Sequence, residues 1–482
     1  MISSGPKSTR RQLFRAAPLG AVSAAISAAA QQRPESRSRP NIVLIISDQF
    51  RADCVGALGR NPMNLTPNLD AMARRGVLFR NAFCNQPVCA PARACMFTSR
   101  YPWNHGVWRN GPALPEDATT LAKTLRAAGY SANYIGKWHL GGQTPDGKEI
   151  RGPVPAARRG GFLDLWQGSN ALELTSHPYE GDLYDNNGEP IHFSGIYRTD
   201  FMTQLAAKFL SSSSAKSPFF LTLSYLEVHH QNDIDKFVPP KEYAGRYANP
   251  FVPGDLRPLP GSWPSQLSDY YGCVAKMDET VGTIRRFLAE NGLDRNTILM
   301  FTSDHSCHFK TRNAEYKRSP HESSIHIPLI IEGPGFDRSM EISELVSQVD
   351  FAPSLLEAAG VPIPSGMEGR SFLPLLDRKI EGWRNEVYFQ MAEYVTGRGL
   401  RTPQYTYAVM APKTSSWKAA RGASEYVEWA AYDNFADPWQ HTNIAGRVPY
   451  RQTLENLRSR LAARIKETGE TASITNCWFP YS

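Results

Sequence analysis

The stretch NIVLIISDQ (Asn41–Gln49) is a short, continuous apolar run that ends in an aspartate and a glutamine. Such a run is typical of a strand that is buried on both faces of a parallel sheet. The segment TPNLDAMARRG follows it, with Thr66 in position to cap a helix that begins at Pro67 and closes at Gly76. A strand followed by a helix predicts the first unit of an α/β fold.

The same alternation of strand and helix patterns continues along the chain. Strand patterns occur in GYSANYIGKW, PFFLTLSYLEV, NTILMFTSDH and IPLIIEGPG, and helical patterns occur over 120–128, around 274–288 and in DFAPSLLEAAG. We therefore predict an α/β fold with a large, mostly parallel central sheet sandwiched by helices. After about Ile380, short strand patterns and a final helix over 450–467 predict a small C-terminal α+β subdomain with a short antiparallel sheet.

Length and charge restrict the class of protein. A chain of 482 residues is long enough for one large domain with an appendage, or for two to three domains. The net charge of +7 comes without a lysine–arginine run, so it favours an anionic small substrate over nucleic acid. Outside the N-terminus no stretch has the roughly 18 consecutive apolar residues of a membrane span.

The N-terminus predicts export to the periplasm or the medium. Arg10 and Arg11 precede a mildly apolar, alanine-rich stretch that ends in Ala28–Ala30. This order of segments is typical of a secretory signal, and the arginine pair indicates the twin-arginine type; a disordered tail is the alternative. The predicted organisation is a signal peptide over 1–30, a linker over 31–40, a catalytic α/β domain over 41–380 and a C-terminal subdomain over 381–482.

Polar side chains collect where four of the predicted strands end. Sites in open α/β sheets form at the carboxyl ends of the strands. Two carboxylates and an amide oxygen make an oxygen-rich set that suits Ca²⁺, Mg²⁺ or Mn²⁺. One such residue alone would more often be structural, but their joint occurrence predicts a functional site. The residues are Asp48, Gln49, Lys137, His139, His229, His230, Asp304 and His305.

The stretch CAPARACMFTSR (Cys89–Arg100) places one of only seven cysteines two residues before a proline and four before an arginine. The odd number of cysteines and the lack of a CxxC pair predict no disulfide framework, although an exported protein leaves an oxidised pair open. The residues alone leave Cys89 as a packed thiol, a reactive thiol or the precursor of a modified residue.

Taken together, these motifs resemble the type I, formylglycine-dependent sulfatases of the alkaline phosphatase superfamily. The resemblance covers nearly everything from Asn41 to about Glu467, and its C-terminal part is YDNFADPWQHTNIAG. The other matching motifs are CAPAR (Cys89–Arg93), FTSR (Phe97–Arg100), GKWHLG (Gly136–Gly141), TSDH (Thr302–His305) and Lys317 five residues before Glu322.

The resemblance implies that a formylglycine-generating enzyme oxidises Cys89 to Cα-formylglycine. A sulfated thiol would be hard to release, whereas an aldehyde hydrate has one hydroxyl that attacks sulfur and a second that can lose its proton and expel sulfate. The resemblance also implies a divalent metal, with Ca²⁺ as the family default and Mn²⁺ or Mg²⁺ as alternatives. Its implied ligands are Asp48, Gln49, the formylglycine at Cys89, Asp304 and His305.

The remaining roles also follow from the resemblance. Lys137 and Lys317 would bind the sulfate oxygens, and Arg93 would hold the hydrate and the bound anion. His139 would accept the proton of the hydrate, and His229 with Lys317 would protonate the leaving alcohol. His230, which would otherwise contact substrate, is the alternative to His229, because HHQND lacks the family's common P-H-x-P form.

These roles imply a sulfuric ester hydrolase that removes sulfate from a small molecule or a glycan. A sulfated carbohydrate is favoured because several loops carry aromatic residues, which can pack on sugar rings. A phosphonate monoesterase or phosphodiesterase of the same superfamily is the alternative, since those enzymes often share the Asp–Gln and Asp–His pairs; Lys137 and His139 favour sulfate. A non-catalytic, exported glycan-binding protein is a further alternative, and the complete set of polar strand ends argues against it.

Overall fold

The computed structural model describes residues 39–144, 146–213, 217–412 and 420–477, and these residues belong to one compact unit that begins at Arg39. The predicted signal peptide and most of the predicted linker lie outside the described residues. Among the helices that are described, none combines the length and the apolar character needed to span a membrane.

The described residues form helices and strands in alternation over most of the chain. The strands are β1 (Asn41–Ser47), β2 (Val77–Phe83), β3 (Ser131–Lys137), β4 (Leu165–Ser169), β5 (Ser176–His177), β6 (Glu180–Tyr184), β7 (Pro190–Ser194), β8 (Phe219–Tyr225), β9 (Thr297–Ser303), β10 (His326–Ile327), β11 (Leu329–Glu332), β12 (Met340–Ser347), β13 (Val387–Met391), β14 (Gly397–Arg401), β15 (Tyr405–Met410), β16 (Glu425–Asp433) and β17 (Ser473–Thr475). The α-helices are α1 (Pro67–Arg75), α2 (Cys89–Thr98), α3 (Pro102–His105), α4 (Leu121–Ala127), α5 (Leu172–Thr175), α6 (Arg198–Ser212), α7 (Trp263–Glu290), α8 (Glu322–Ile325), α9 (Phe351–Ala358), α10 (Leu373–Leu376) and α11 (Arg451–Glu467).

The central sheet has twelve strands, in the order β10-β2-β11-β9-β1-β8-β3-β4-β6-β5, with β12 paired to β2 and β7 paired to β6. Its centre, β9-β1-β8-β3-β4, is parallel throughout. The flanks are mixed, because β11 runs antiparallel to both of its neighbours and β6 runs antiparallel to β4. Antiparallel strands can follow one another through short turns, as β5, β6 and β7 do, whereas parallel neighbours need a crossover.

The burial of β1 on both faces of the sheet explains why its five central residues are apolar. All seven of its residues are buried. Ile42, Leu44 and Ile46 belong to the core on one face of the sheet, which also contains buried residues of α2, α4 and α9. Val43 and Ile45 belong to the core on the other face, which contains buried residues of α1, α6 and α7. The predicted sandwich of helices around a buried parallel sheet is confirmed.

The C-terminal region forms a second, five-stranded sheet in the order β13-β14-β15-β16-β17. The first four strands are antiparallel, as predicted, and the short β17 joins parallel to β16. Helix α11 covers this sheet with an apolar face of buried residues that belong to a separate third core, namely Leu454, Leu457, Leu461 and Ile465.

Candidate active site

The candidate active site lies at the carboxyl edge of four parallel strands, β9, β1, β8 and β3. Asp48 directly follows β1, Lys137 is the last residue of β3, and Asp304 directly follows β9. His229 lies four residues beyond the end of β8. Because these strands are parallel neighbours, their ends meet at one edge, and the polar residues noted in the sequence are brought together there.

Cys89 is the first residue of α2, and its side chain points into this group. Its residue surface is 1% exposed. The next backbone N–H, at Ala90, donates to Oδ1 of Asn110 over 3.1 Å, which satisfies one of the free donors at the start of the helix. The N-terminus of a helix favours negative charge, so α2 contributes to an anion-binding environment around residue 89.

Basic side chains surround the Cys89 sulfur. Nζ of Lys317 lies 2.8 Å from Sγ, Nε2 of His305 lies 3.2 Å away and Nζ of Lys137 lies 3.8 Å away. Burial raises the pKa of the Cys89 thiol, but Lys137, Lys317 and His305 outweigh burial and hold this pKa well below its ordinary value. The site therefore stabilises an anion at the position of residue 89.

Arg93 lies one helical turn after Cys89 and is fully buried. Its guanidinium donates to Oδ2 of Asp304 over 3.1 Å and to Oδ2 of Asp48 over 3.2 Å. It also donates to Oγ of Ser224 and to the carbonyl oxygen of Lys137. These hydrogen bonds tie four strand ends together. The role toward the hydrate and the anion that the resemblance implies for Arg93 stays a prediction.

Two carboxylates share the centre of the site. Ligand atoms of Asp48, Cys89, Asp304 and His305 all lie within 4.8 Å of one another, and all four residues are buried. Burial and Cys89 raise the pKa of Asp48, but Lys137 and other cations lower it further, so the carboxyl is held ionised. Burial and the neighbouring Asp48 raise the pKa of Asp304, as expected for like charges in a confined space.

Gln49 follows Asp48 directly and has a left-handed backbone conformation, with φ of 67°, and its backbone N–H donates to Oδ1 of Asp304 over 3.1 Å. Its side-chain Oε1 lies 3.4 Å from Nδ1 of His230, and its buried Nε2 has no hydrogen-bond partner among the described residues. The two carboxylates and the imidazole of the buried cluster are chemically suitable donors for a divalent metal, which the resemblance implies.

The two lysines approach residue 89 from different segments. Nζ of Lys137 lies 2.8 Å from Oδ2 of Asp48 and 2.9 Å from Oε1 of Glu173. Nζ of Lys317 lies 3.0 Å from Nε2 of His305 and 3.4 Å from Nε2 of His229. Burial lowers the pKa of Lys137, but Asp48, Cys89 and Glu173 raise it above its ordinary value, so the group is charged.

His139 lies between two glutamates and has a left-handed backbone, with φ of 61°. Its Nε2 is 3.2 Å from Oε1 of Glu149, and its Nδ1 is 3.9 Å from Oε1 of Glu173. Burial and Lys137 lower the pKa of His139, but Glu173, Cys89 and Glu149 outweigh them and raise it to about 10. The two carboxylates therefore stabilise positive charge on this imidazole.

The adjacent His229 and His230 take different positions. His229 is the one that contacts Lys317, whereas His230 stacks on Tyr316 with ring centroids 4.0 Å apart. Burial, His229 and Lys317 lower the pKa of His230, so this ring is neutral. The structure thus brings His229 to the catalytic group and places His230 beside Gln49, at the side of the cluster.

Two acidic residues of the site were not predicted from the sequence. Glu173 and Glu149 contact Lys137 and His139 but lie in no motif that the sequence analysis used. Burial raises the pKa of Glu173, but Lys137 and His139 lower it to about 2. The only sequence signal was the position of Glu173 shortly after a strand, at the same edge of the sheet as the other polar residues.

The chain matches the family model described as Sulfatase over residues 40–361, and the model described as the C-terminal region of N-sulphoglucosamine sulphohydrolase over residues 315–467. It is 30% identical over 459 residues to an ulvan-active sulfatase of Formosa agariphila, covering 91% of this chain and 83% of that protein. It is 26% identical to an N-acetylglucosamine-6-O-sulfatase of Bacteroides thetaiotaomicron, covering 93% and 90%.

A similar fold occurs in the crystal structure of the yidJ protein of Bacteroides fragilis. The TM-score is 0.77 at 24% identity, covering 91% of this chain and 98% of that one. The family match spans the whole central sheet and the carboxyl edge where Cys89, Asp48 and Asp304 meet. The chain therefore belongs to the sulfatase family of the alkaline phosphatase superfamily and is a sulfatase.

Proposed function

We propose that this sulfatase uses a formylglycine made from Cys89, together with a divalent metal, to remove sulfate from a sulfated carbohydrate. The observation that carries the proposal is the surroundings of Cys89. It begins a helix, contacts Lys317 and His305, and lies 3.7 Å from Oδ1 of Asp48 and 3.8 Å from Nζ of Lys137. A residue that must act as a nucleophile on a sulfate ester needs this combination of anion-binding groups and acidifying groups.

The metal would be held by Asp48, Gln49, Asp304 and His305, together with the side chain of residue 89. The hard oxygen donors favour Ca²⁺; the imidazole and the amide, which replaces a carboxylate of many relatives, make Mn²⁺ or Mg²⁺ the alternatives. When bound, such an ion lowers the pKa of the attacking hydroxyl and polarises the sulfate. Arg93 supports this cluster, because it fixes one oxygen of Asp48 and one of Asp304.

Sulfate would bind between the two lysines. Lys137 and Lys317 both reach the Cys89 sulfur, from different segments of the chain, and each carries an ammonium that can bond sulfate oxygens as a point charge. The Lys137 side chain is not free to move far, since it is held by Asp48 and Glu173. Charges that are fixed before the reaction stabilise the charge of the transition state without further reorganisation.

Proton transfer would involve the two histidines near residue 89. His229, which lies 3.4 Å from Lys317, would protonate the oxygen of the leaving alcohol. His139, which lies beside the carboxylates of Glu149 and Glu173, would accept the proton of the second hydroxyl at residue 89, and these carboxylates would stabilise the imidazolium that forms. A sugar hydroxyl is a poor leaving group, so a positioned general acid matters more for a carbohydrate sulfate than for an aryl sulfate.

The names of the relatives support a carbohydrate substrate, because one is active on ulvan and another removes 6-O-sulfate from N-acetylglucosamine. We further propose that residues 1–30 are a twin-arginine signal peptide, so that the enzyme is exported to the periplasm or secreted. Maturation then requires a formylglycine-generating enzyme. The proposed boundary at residue 380 separates the catalytic α/β region from the five-stranded sheet.

The proposal is tested by comparing sulfates with phosphate diesters. We expect the purified, matured enzyme to release sulfate from a panel of sulfated oligosaccharides, and Cys89→Ala to be folded and inactive. A wild-type enzyme that cleaves an aryl phosphate diester with a higher kcat/KM than the matched aryl sulfate would support the phosphodiesterase alternative, which the Asp–Gln and Asp–His pairs keep open. Near-wild-type turnover by Cys89→Ala would refute both.

A further inference from the structure

Glu173 is a buried carboxylate that takes no direct part in the bond cleavage or the proton transfers proposed above. It lies on the one-turn helix α5, which follows β4, the parallel neighbour of β3. Its side chain is 6% exposed, and its Oε1 lies 2.9 Å from Nζ of Lys137, whose side chain is fully buried. Buried charges persist when they are paired, so the two groups hold each other in place.

The same carboxylate faces His139. Nδ1 of His139 lies 3.9 Å from Oε1 of Glu173, and this nitrogen has no hydrogen-bond partner among the described residues. Oε2 of Glu173 is likewise buried without a partner. Buried donors and acceptors without partners are rare. The separation exceeds a normal N–H···O hydrogen bond by only about 1 Å, so a small side-chain movement would join these two groups.

We propose that Glu173 is a positioning residue, which holds the ammonium of Lys137 and the ring of His139 in the orientation needed for cleavage of the sulfate ester. This inference rests on the proposed function of the site. Glu173 acts through these two residues: Lys137 is held between two carboxylates, Glu173 and Asp48, and its ammonium is thereby kept within 3.8 Å of the residue 89 side chain.

Glu149 provides an internal comparison. Its Oε1 contacts Nε2 of His139 at 3.2 Å, and its side chain is 23% exposed. Glu149 shares with Glu173 the contact to His139 but not the ion pair with Lys137. It also lies at a more solvated position, where screening weakens charge interactions. We therefore expect Glu149→Gln to have a smaller effect on turnover than Glu173→Gln, because it leaves the ion pair of Lys137 intact.

The test uses the matured, full-length enzyme with 4-nitrophenyl sulfate as the probe. We expect Glu173→Gln to lower kcat by about 10- to 100-fold, the range found for residues that orient the groups of an active site, with a smaller change in KM. Glu173→Asp, which keeps the charge, should retain more activity than Glu173→Gln, which keeps the shape. A role in packing alone predicts the reverse order.

The matched control is Glu470→Gln, which removes a similarly buried carboxylate from an ion pair with Arg398 in the C-terminal region. We expect it to lower the melting temperature and to leave kcat unchanged.

A double-mutant cycle completes the test. In a Lys137→Ala background, Glu173→Gln should lower kcat by a smaller factor than it does in the wild type, because the part of its effect that passes through Lys137 is already lost. Additive losses, or a Glu173→Gln enzyme as active as the wild type, would overturn the inference. A folded, modified wild-type enzyme that releases no sulfate from any ester would instead overturn the proposed function, so the two failures are distinguishable.

Discussion

At the scale of single residues, the proposed function assigns separable tasks to the two histidines near residue 89. His229 contacts Lys317, whereas His139 lies beside the carboxylates of Glu149 and Glu173. In the proposal, His229 gives a proton and His139 takes one. Removing each of them should therefore slow a different half of the reaction.

For His139→Ala we expect the release of alcohol to continue for one turnover while the release of sulfate stalls. The loss should resemble that of a general base, about 10²–10⁴-fold in the steady state. Alcohol and sulfate are measured separately after rapid mixing with an aryl sulfate. His139→Ala releasing both products at equal, near-wild-type rates would contradict the assigned role.

Asp304→Asn should lose metal and activity together. It keeps the size of the side chain but removes a charge from a cluster whose ligand atoms lie within 4.8 Å of one another. Bound metal is measured by elemental analysis and turnover by sulfate release. The control is Asp278→Asn, a buried carboxylate that accepts from the backbone at the start of α1. We expect Asp278→Asn to lose stability and retain its metal; full metal occupancy in Asp304→Asn would refute the ligand assignment.

The sequence indicated the residues of the site that follow strands or belong to motifs, such as Asp48, Lys137 and Asp304. It could not indicate Glu173, because its contacts with Lys137 and His139 depend on how β3 and β4 pair, which no local pattern determines. The hydrogen bonds of Arg93 could not be predicted for the same reason. Its side chain bonds four strand ends that are distant in sequence, and only the assembled sheet brings them within reach.

At the scale of elements, the carboxyl edge of the sheet depends on close backbone contact between β3 and β8. Gly136 has a φ of 113°, and a Cβ at this position would overlap the carbonyl oxygen of Ser224. Lys137 follows directly, and Ser224 also bonds Arg93. A side chain at residue 136 would therefore disturb the groups that position the anion site.

Gly136→Ala should lose stability and activity together. Its backbone conformation alone costs about 1–3 kcal/mol for a residue with a side chain, and overpacking adds about 1–3 kcal/mol. Gly129→Ala is the matched control, because φ is 90° there but the nearest atom is 4.0 Å away, so only the first effect applies. Equal losses of unfolding free energy in denaturant titrations of the two variants would show that the contact with β8 is unimportant.

Strands β1, β8 and β9 of the parallel centre were predictable because each is a mainly apolar run followed by polar residues, whereas LWQGS of β4 has no such pattern and was not predicted. The antiparallel flank of β5, β6 and β7 was not, since these strands are short and only partly buried, with polar residues such as Glu180 and His192 among them. Their pairing depends on the turns between them and on the edge of β4.

At the scale of the whole molecule, the second sheet shares a core with the first. Val387, Phe389 and Met391 of β13 are buried in the same cluster as residues of β1 and β2. An ion pair between Arg401 of β14 and Glu322 of α8 joins the two regions as well. The C-terminal region is thus continuous with the main core, although its strand pattern alone suggested an appendage.

Truncation after residue 380 should therefore yield a chain that does not fold. It removes several fully buried side chains from the shared core, and each large one contributes about 3–5 kcal/mol when truncated to alanine. Circular dichroism and thermal melting of the truncated and full-length chains give the comparison. A cooperative melting transition of the truncated chain would show that residues 381–482 are an independent addition.

The central claim is that residue 89 becomes formylglycine and that this residue performs the reaction. Its most direct test is the mass of the peptide that contains residue 89, measured on preparations whose sulfate release is assayed in parallel. We predict a peptide about 18 Da lighter than the cysteine form, since oxygen replaces sulfur and two hydrogens, and activity in proportion to its abundance. Full activity in a preparation that contains only unmodified Cys89 would contradict the account.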